Sequence, residues 1–187
     1  MKVIRNIDVL GDAYLQERLY RWSIIVFFGG IVLAVIVGIF TLPYGTESLL
    51  DPLWWVAAIA GSIVPLPIHE LVHGAAFKLL CPDCHVSFGK EDAFLYTSTD
   101  GAVLTRKRMV CVLLAPAVLV TAALVAIALA ADCPVLAVVL ATMHLSGCVG
   151  DILMAYEILA EPTCTHVRDT DNGIELLAEC ESEEVLS

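Results

Sequence analysis

Long apolar runs fill most of this chain, and the polar residues that interrupt them carry the information. Four stretches, 22–42, 53–80, 109–131 and 134–159, approach or exceed the ~20 residues that a helix needs to cross a bilayer. Each predicts a membrane-spanning helix. The first is not expected to be a cleaved leader, because its run is too long and no small-x-small site precedes Pro43. Residues 12–20 place Tyr14, Leu15 and Leu19 on one side, with Glu17, Arg18 and then Arg21 on the other, which predicts a short interfacial helix. One sizeable loop separates the second and third spans. In it, Val86-Ser87-Phe88 and Phe94-Leu95-Tyr96-Thr97 have strand-like composition around Gly89-Lys90-Glu91-Asp92, predicting a β-hairpin. The expected fold is an all-α integral membrane protein with four transmembrane helices and this hairpin-like loop between helices 2 and 3. It divides into an N-terminal segment 1–21, a membrane domain 22–160 and an acidic tail 161–187.

Small and cyclic residues shape the spans. Gly30, Ala34 and Gly38 recur every fourth position of the first span and suit close helix packing, inside the bundle or across a homodimer face. Pro65 and Pro67 predict a kink in the second span, where freed backbone groups must face protein or a wet cavity. The third span is alanine-rich, contains Pro116 and carries no ionisable group between Met109 and Ala131. It reads as a packing helix.

Composition agrees with the apolar pattern. At 59% hydrophobic residues and a mean hydropathy of +0.84, 187 residues exceed what a soluble domain of this size can bury. Lys2, Arg5, Arg18 and Arg21 precede the first span, and Lys78, Lys90, Arg106, Lys107 and Arg108 lie between the second and third. The other two connections carry only Glu47, Asp51 and Asp132. The positive-inside rule then places both termini and the middle loop in the cytoplasm of a multi-pass cell-membrane protein, with the lipid bilayer as constant partner. Much of the net charge of −11 is in the tail, which from Glu157 onward has nine acids against Arg168 alone. That excludes nucleic acid and anionic lipid as partners of the segment and predicts a solvated, partly disordered tail, with an amphipathic turn at 174–177 as the alternative docking element. Seven scattered cysteines, four of them on the expected cytoplasmic side, imply no disulfide framework.

Against this background, His69-Glu70-Leu71-Val72-His73 stands out within the second span. Residues four apart share a helix face, so His69 and His73 can aim at one metal ion, and Glu70 is placed to take a proton from a zinc-activated water. Ionisable groups at such depth cost roughly 2.5–3.5 kcal/mol each and are functional by default. Catalytic Zn2+ takes a third protein ligand. Glu91 and Asp92 have a usable spacing but fall in a surface turn, whereas Asp151 lies 16 residues beyond Val135, much as His69 lies 15 beyond Trp54. With both helices running the same way, Asp151 and His69 should sit at similar depth. His144, ~10 Å from Asp151 along a straight helix, suits a hydrogen bond to a ligand or to the transition state rather than the same ion. Cys148 reads as a ligand or, more simply, a small packing residue. Cys81-Pro82-Asp83-Cys84-His85 offers half of a structural metal site or a redox pair. An open hairpin edge could hold an extended peptide by strand addition, with Phe88 and Tyr96 as substrate-binding residues; a structural cover is the other reading.

These residues carry a family resemblance. Pro67 to Gly74 around the histidines, Val86-Ser87-Phe88-Gly89, Ala115-Pro116, Gly147 and Gly150-Asp151 look like the small membrane family described as "putative zincin peptidases", of unknown function. The resemblance covers roughly 63–159. More distantly the chain is similar to site-2 proteases, which hold zinc in the membrane with two histidines on one helix and an aspartate on a later one. The resemblance implies that His69, His73 and Asp151 bind zinc, with Glu70 as general base. It departs from site-2 proteases in that Asp151 is followed by Ile152 and no span contains asparagine, so an oxyanion-stabilising residue is unassigned. The expected function is a membrane-embedded zinc metallopeptidase acting on a peptide or transmembrane protein substrate. The alternatives are a non-catalytic metal-binding sensor or scaffold and, third, a metal transporter, for which helices 1 and 3 offer almost no polar path.

Overall fold

The structure is a computed structural model describing residues 1–9, 11–91, 94–170 and 173–179. Strand β1 (Lys2–Asp8) leads into α1 (Ala13–Thr41), followed by α2 (Pro52–Ile63) and α3 (Pro65–Leu80). Then come β2 (Ser87–Glu91), β3 (Phe94–Ser98) and β4 (Val103–Thr105), the helices α4 (Arg106–Ala130), α5 (Pro134–Gly147) and α6 (Val149–Ala160), and the strands β5 (His166–Thr170) and β6 (Gly173–Ala178). Three helical runs, Ala13–Thr41, Pro52–Leu80 and Arg106–Ala130, are long and apolar enough to cross a membrane, and a fourth is completed by the bent pair α5 and α6. The most apolar windows of the first two runs are only 11% buried within the protein, so their side chains face outward along most of their length.

The interfacial helix expected at 12–20 is not a separate element. Asp12 caps α1 by accepting from the backbone N–H groups of Tyr14 and Leu15, and no glycine or proline interrupts the helix before Gly29. The interruption expected at the prolines of the second span is present as a break directly before Pro65. Pro65 opens α3 and the interruption is confined to Val64, so 52–80 remains one 29-residue run. The sharp bend, 57°, falls instead between α5 and α6, where Gly147 and Gly150 flank the break and give the helix little propensity to stay straight.

Helix α5 is the hub, packed against α1, α4 and α2. The small-residue stripe of α1 is consumed in this packing: a Cβ on Gly30 would collide with the Thr142 side chain, Ala34 is buried, and Gly38 approaches Val135. At the end of the bundle away from the sheet, Glu47 is buried and accepts from Trp54 Nε1 (2.6 Å) and from the backbone N–H groups of Val135 (2.8 Å) and Leu136 (2.9 Å). Its carboxylate thus caps α5 from a distant loop and meets the positive end of that helix dipole.

The opposite end carries a four-stranded antiparallel sheet in the order β1-β6-β5-β4, which corrects the expectation of an all-α fold. The segment expected to be a solvated tail supplies its two central strands, and the turn expected at 174–177 is part of β6. Val167, Ile174 and Leu176 are at most 2% exposed and seal the sheet onto the helix ends, with Met109, Val112 and Ile158 beneath them. Acid count obscured this apolar set. Glu157, also counted among the tail acids, is buried on α6 and receives Arg5 from β1 and Arg18 from α1, each at 2.8 Å. The basic residues named above all lie at this end. One further correction concerns cysteine: Cys81 and Cys84 are joined as a disulfide across the turn that ends α3, a pairing their Cα separation of 5.4 Å permits.

Replacing Glu47 by alanine should leave the indole N–H and two helix-end N–H groups unsatisfied and destabilise the bundle by about 1–3 kcal/mol. Thermal unfolding in detergent micelles should show a lower midpoint for Glu47→Ala, with Glu47→Gln between it and wild type.

Candidate metal centre

The centre is assembled from α3 and the two arms of the bent pair α5 and α6. One turn of α3 presents both imidazoles: His69 Nε2 and His73 Nε2 are 3.1 Å apart. The bend after Gly147 swings the start of α6 against them. Asp151 Oδ2 then lies 3.2 Å from His69 Nε2, and Asp151 Oδ1 lies 3.5 Å from His73 Nε2. These three side chains are between 9% and 16% exposed, so few waters can serve them. The rival acid Asp92 and the Glu91 side chain lie outside the described residues.

Proton positions follow from the partners. His73 Nδ1 is 3.0 Å from the carbonyl oxygen of Val112, which can only accept, so Nδ1 carries the proton and Nε2 presents a lone pair. That lone pair points at the same small volume as Asp151 and His69. Electron-rich atoms facing one another in a buried layer repel unless a proton or a metal cation lies between them. Ligands each ~2.0–2.1 Å from a tetrahedral ion stand roughly 3.3 Å apart, and the observed separations of 3.1, 3.2 and 3.5 Å match that spacing. The donor set of two imidazoles and a carboxylate suits zinc and leaves a fourth position for water.

His144 approaches His69 from the opposite side. Its Nε2 is 3.3 Å from His69 Nδ1, and its Nδ1 is 2.8 Å from Thr121 Oγ1. The straight-helix estimate of ~10 Å between His144 and Asp151 does not apply, because the break puts the two residues on different helices that flank His69. With a cation on Nε2, His69 carries its proton on Nδ1 and donates to His144, which in turn donates to Thr121. Such outer hydrogen bonds fix the tautomer and orientation of a ligating imidazole. Cys148 is fully buried, with Sγ 3.7 Å from His69 Nδ1, so His69, His144 and Cys148 form a second trio that could hold an ion on the other nitrogen. Among the described residues these two trios are the metal-compatible groups, and neither includes Cys81, Cys84 or His85.

The hairpin docks on the same turn of α3. Register pairs Phe88 with Thr97 and Gly89 with Tyr96, so the first pair shares one face of the hairpin and the second the other. Thr97 Oγ1 donates to Glu70 Oε2 at 2.8 Å. The Phe88 ring lies against Gly74, where an added Cβ would fall 2.5 Å from Phe88 Cζ. The Tyr96 ring covers Gly89 on the far face. The two aromatic side chains proposed for substrate contact therefore cannot line a single subsite. Thr97, Thr121 and Val112 escaped the sequence reading. Val112 acts through its backbone and leaves no side-chain signal, while Thr97 could have been found by asking which hairpin hydroxyl shares a face with Phe88.

No curated protein and no solved structure matches this chain. Residues 62–166, more than half of the 187, match the family described as "Putative zincin peptidase". The matched region runs from just before the HExxH helix to past Asp151, and contains His144, Cys148 and the hairpin. By that match this chain belongs to the family described as "Putative zincin peptidase".

Proposed function

We propose that this protein is a membrane-embedded zinc metallopeptidase, similar in plan to site-2 proteases, that hydrolyses peptide bonds of membrane or membrane-associated proteins. The observation that carries the reading is the convergence of His69 and His73 of α3 with Asp151 of α6, each pair within 3.5 Å, with Glu70 directly after His69 on α3. His69 and His73 through Nε2 and Asp151 through its carboxylate would hold zinc. Bound there, zinc supplies Lewis acidity that polarises a scissile carbonyl and acidifies water. Glu70 takes the proton from the attacking water and returns it to the departing amine. His144 keeps His69 in the tautomer that binds through Nε2. The free strand edges of the hairpin present N–H and C=O groups to an extended peptide, with Phe88 or Tyr96 beside it. Its position at the basic end of the bundle supports a cytoplasmic entry, with the domain 22–160 spanning the cell membrane and the sheet facing the cytoplasm.

A second reading, a metal-binding sensor without turnover, is favoured by Cys148. An ion bound by His69, His144 and Cys148 would have a softer ligand set that includes a thiolate and lies away from His69 Nε2. The two readings part in the cobalt-substituted protein. The peptidase predicts d–d bands that persist in Cys148→Ser. The sensor predicts an intense near-ultraviolet thiolate-to-cobalt band that this substitution removes.

For the full-length protein in liposomes with labelled casein, Glu70→Gln should retain one equivalent of zinc while cleavage falls about 10²–10⁴-fold. Undiminished cleavage would remove Glu70 from its role. Asp151→Ala should lower zinc content well below one equivalent by elemental analysis, and full retention would remove Asp151 as a ligand.

A further inference from the structure

We propose that Thr97 is the positioning residue for Glu70: its hydroxyl holds Oε2 so that Oε1 is the oxygen that exchanges protons with water. This inference rests on the reading of Glu70 as general base. The Thr97 hydroxyl has one hydrogen and two acceptors in reach, Glu70 Oε2 at 2.8 Å and the Glu70 carbonyl oxygen at 3.0 Å. The carboxylate is the stronger acceptor and takes it. Among the described residues no other side chain hydrogen-bonds that carboxylate. A carboxylate on a two-torsion stem, left alone, would sample several rotamers. One anchored oxygen makes the pair inequivalent and leaves the other free.

The anchor is delivered by a matched pair of contacts. Glu70 and Gly74 are four residues apart and share a face of α3. Thr97 and Phe88 are cross-strand partners and share a face of the hairpin. Thr97 meets Glu70 while the Phe88 ring meets the bare backbone at Gly74, so the glycine sets how near the hairpin lies and hence where the hydroxyl sits. Thr97 donates in both protonation states of Glu70. It therefore steadies the base throughout the cycle without competing for the transferred proton.

The test uses the full chain in liposomes, loaded with zinc, and reads both casein cleavage and binding of acetohydroxamate, a metal-chelating acid whose proton needs a neighbouring base. Thr97→Val keeps the shape and removes the donor. It should lower kcat about 10–100-fold with KM and zinc content unchanged, and weaken acetohydroxamate by a similar factor. Thr97→Ser should restore both within about threefold. In the Glu70→Gln background, Thr97→Val should have little further effect, because the two act as one unit. Wild-type values for Thr97→Val, a gain of activity, or a loss that follows zinc release would each overturn the proposal. If Glu70→Gln alone leaves cleavage and acetohydroxamate binding intact, the base assignment itself has failed.

Discussion

A carboxylate set between two imidazoles in an otherwise apolar layer is the interaction around which this molecule is arranged. Asp151 is tolerated in this buried position because His69 and His73 meet it, and they meet because α5 and α6 are bent apart at Cys148. A straight helix would leave His144 and Asp151 stacked along one axis and bring at most one of them to α3. The 57° bend lets α5 press His144 on one nitrogen of His69 while α6 sets Asp151 on the other.

The two ends of the bundle hold that arrangement in different ways. At one end, Glu47 ties the loop between α1 and α2 to the first turn of α5, fixing the arm that bears His144. At the other, Glu157 joins α6 to β1 and α1 through two arginines, fixing the arm that bears Asp151. Each arm of the broken span is therefore pinned by a buried carboxylate at its far end. The bend between them is held by these distant attachments as well as by local contacts.

How much of this was legible depended on whether the signal was local. The apolar runs stand out because each is nearly uninterrupted, and the histidine pair because four-residue spacing is itself a helix geometry. Counting residues from Trp54 and Val135 set Asp151 level with His69, and the two lie 3.2 Å apart. The same count assumed a straight helix that Gly147 and Gly150 do not sustain, yet its reading of His144 as a hydrogen-bond partner rather than a ligand of the same ion matches its place beside His69 Nδ1. The sheet was missed for a different reason. In β6, Ile174, Leu176 and Leu177 are spaced among acids, and in β1 the polar residues Lys2, Arg5, Asn6 and Asp8 outnumber the apolar ones, so neither strand reads as one until the other is beside it. Contacts such as Thr97 with Glu70 join residues 27 apart, which composition and period cannot reveal.

The pairing of β1 with β6 also orders events in time. Residues 2–8 are made before every apolar run of 13–160, and their partners at 173–178 only after all of them. The sheet is thus a late, long-range closure. Until it forms, Arg5 has no strand to hold it beside Glu157, and the arm that carries Asp151 lacks one of its two guanidinium ties. The Asp151 arm would then settle only after β6 has been made, so the trio of His69, His73 and Asp151 is a late product of folding.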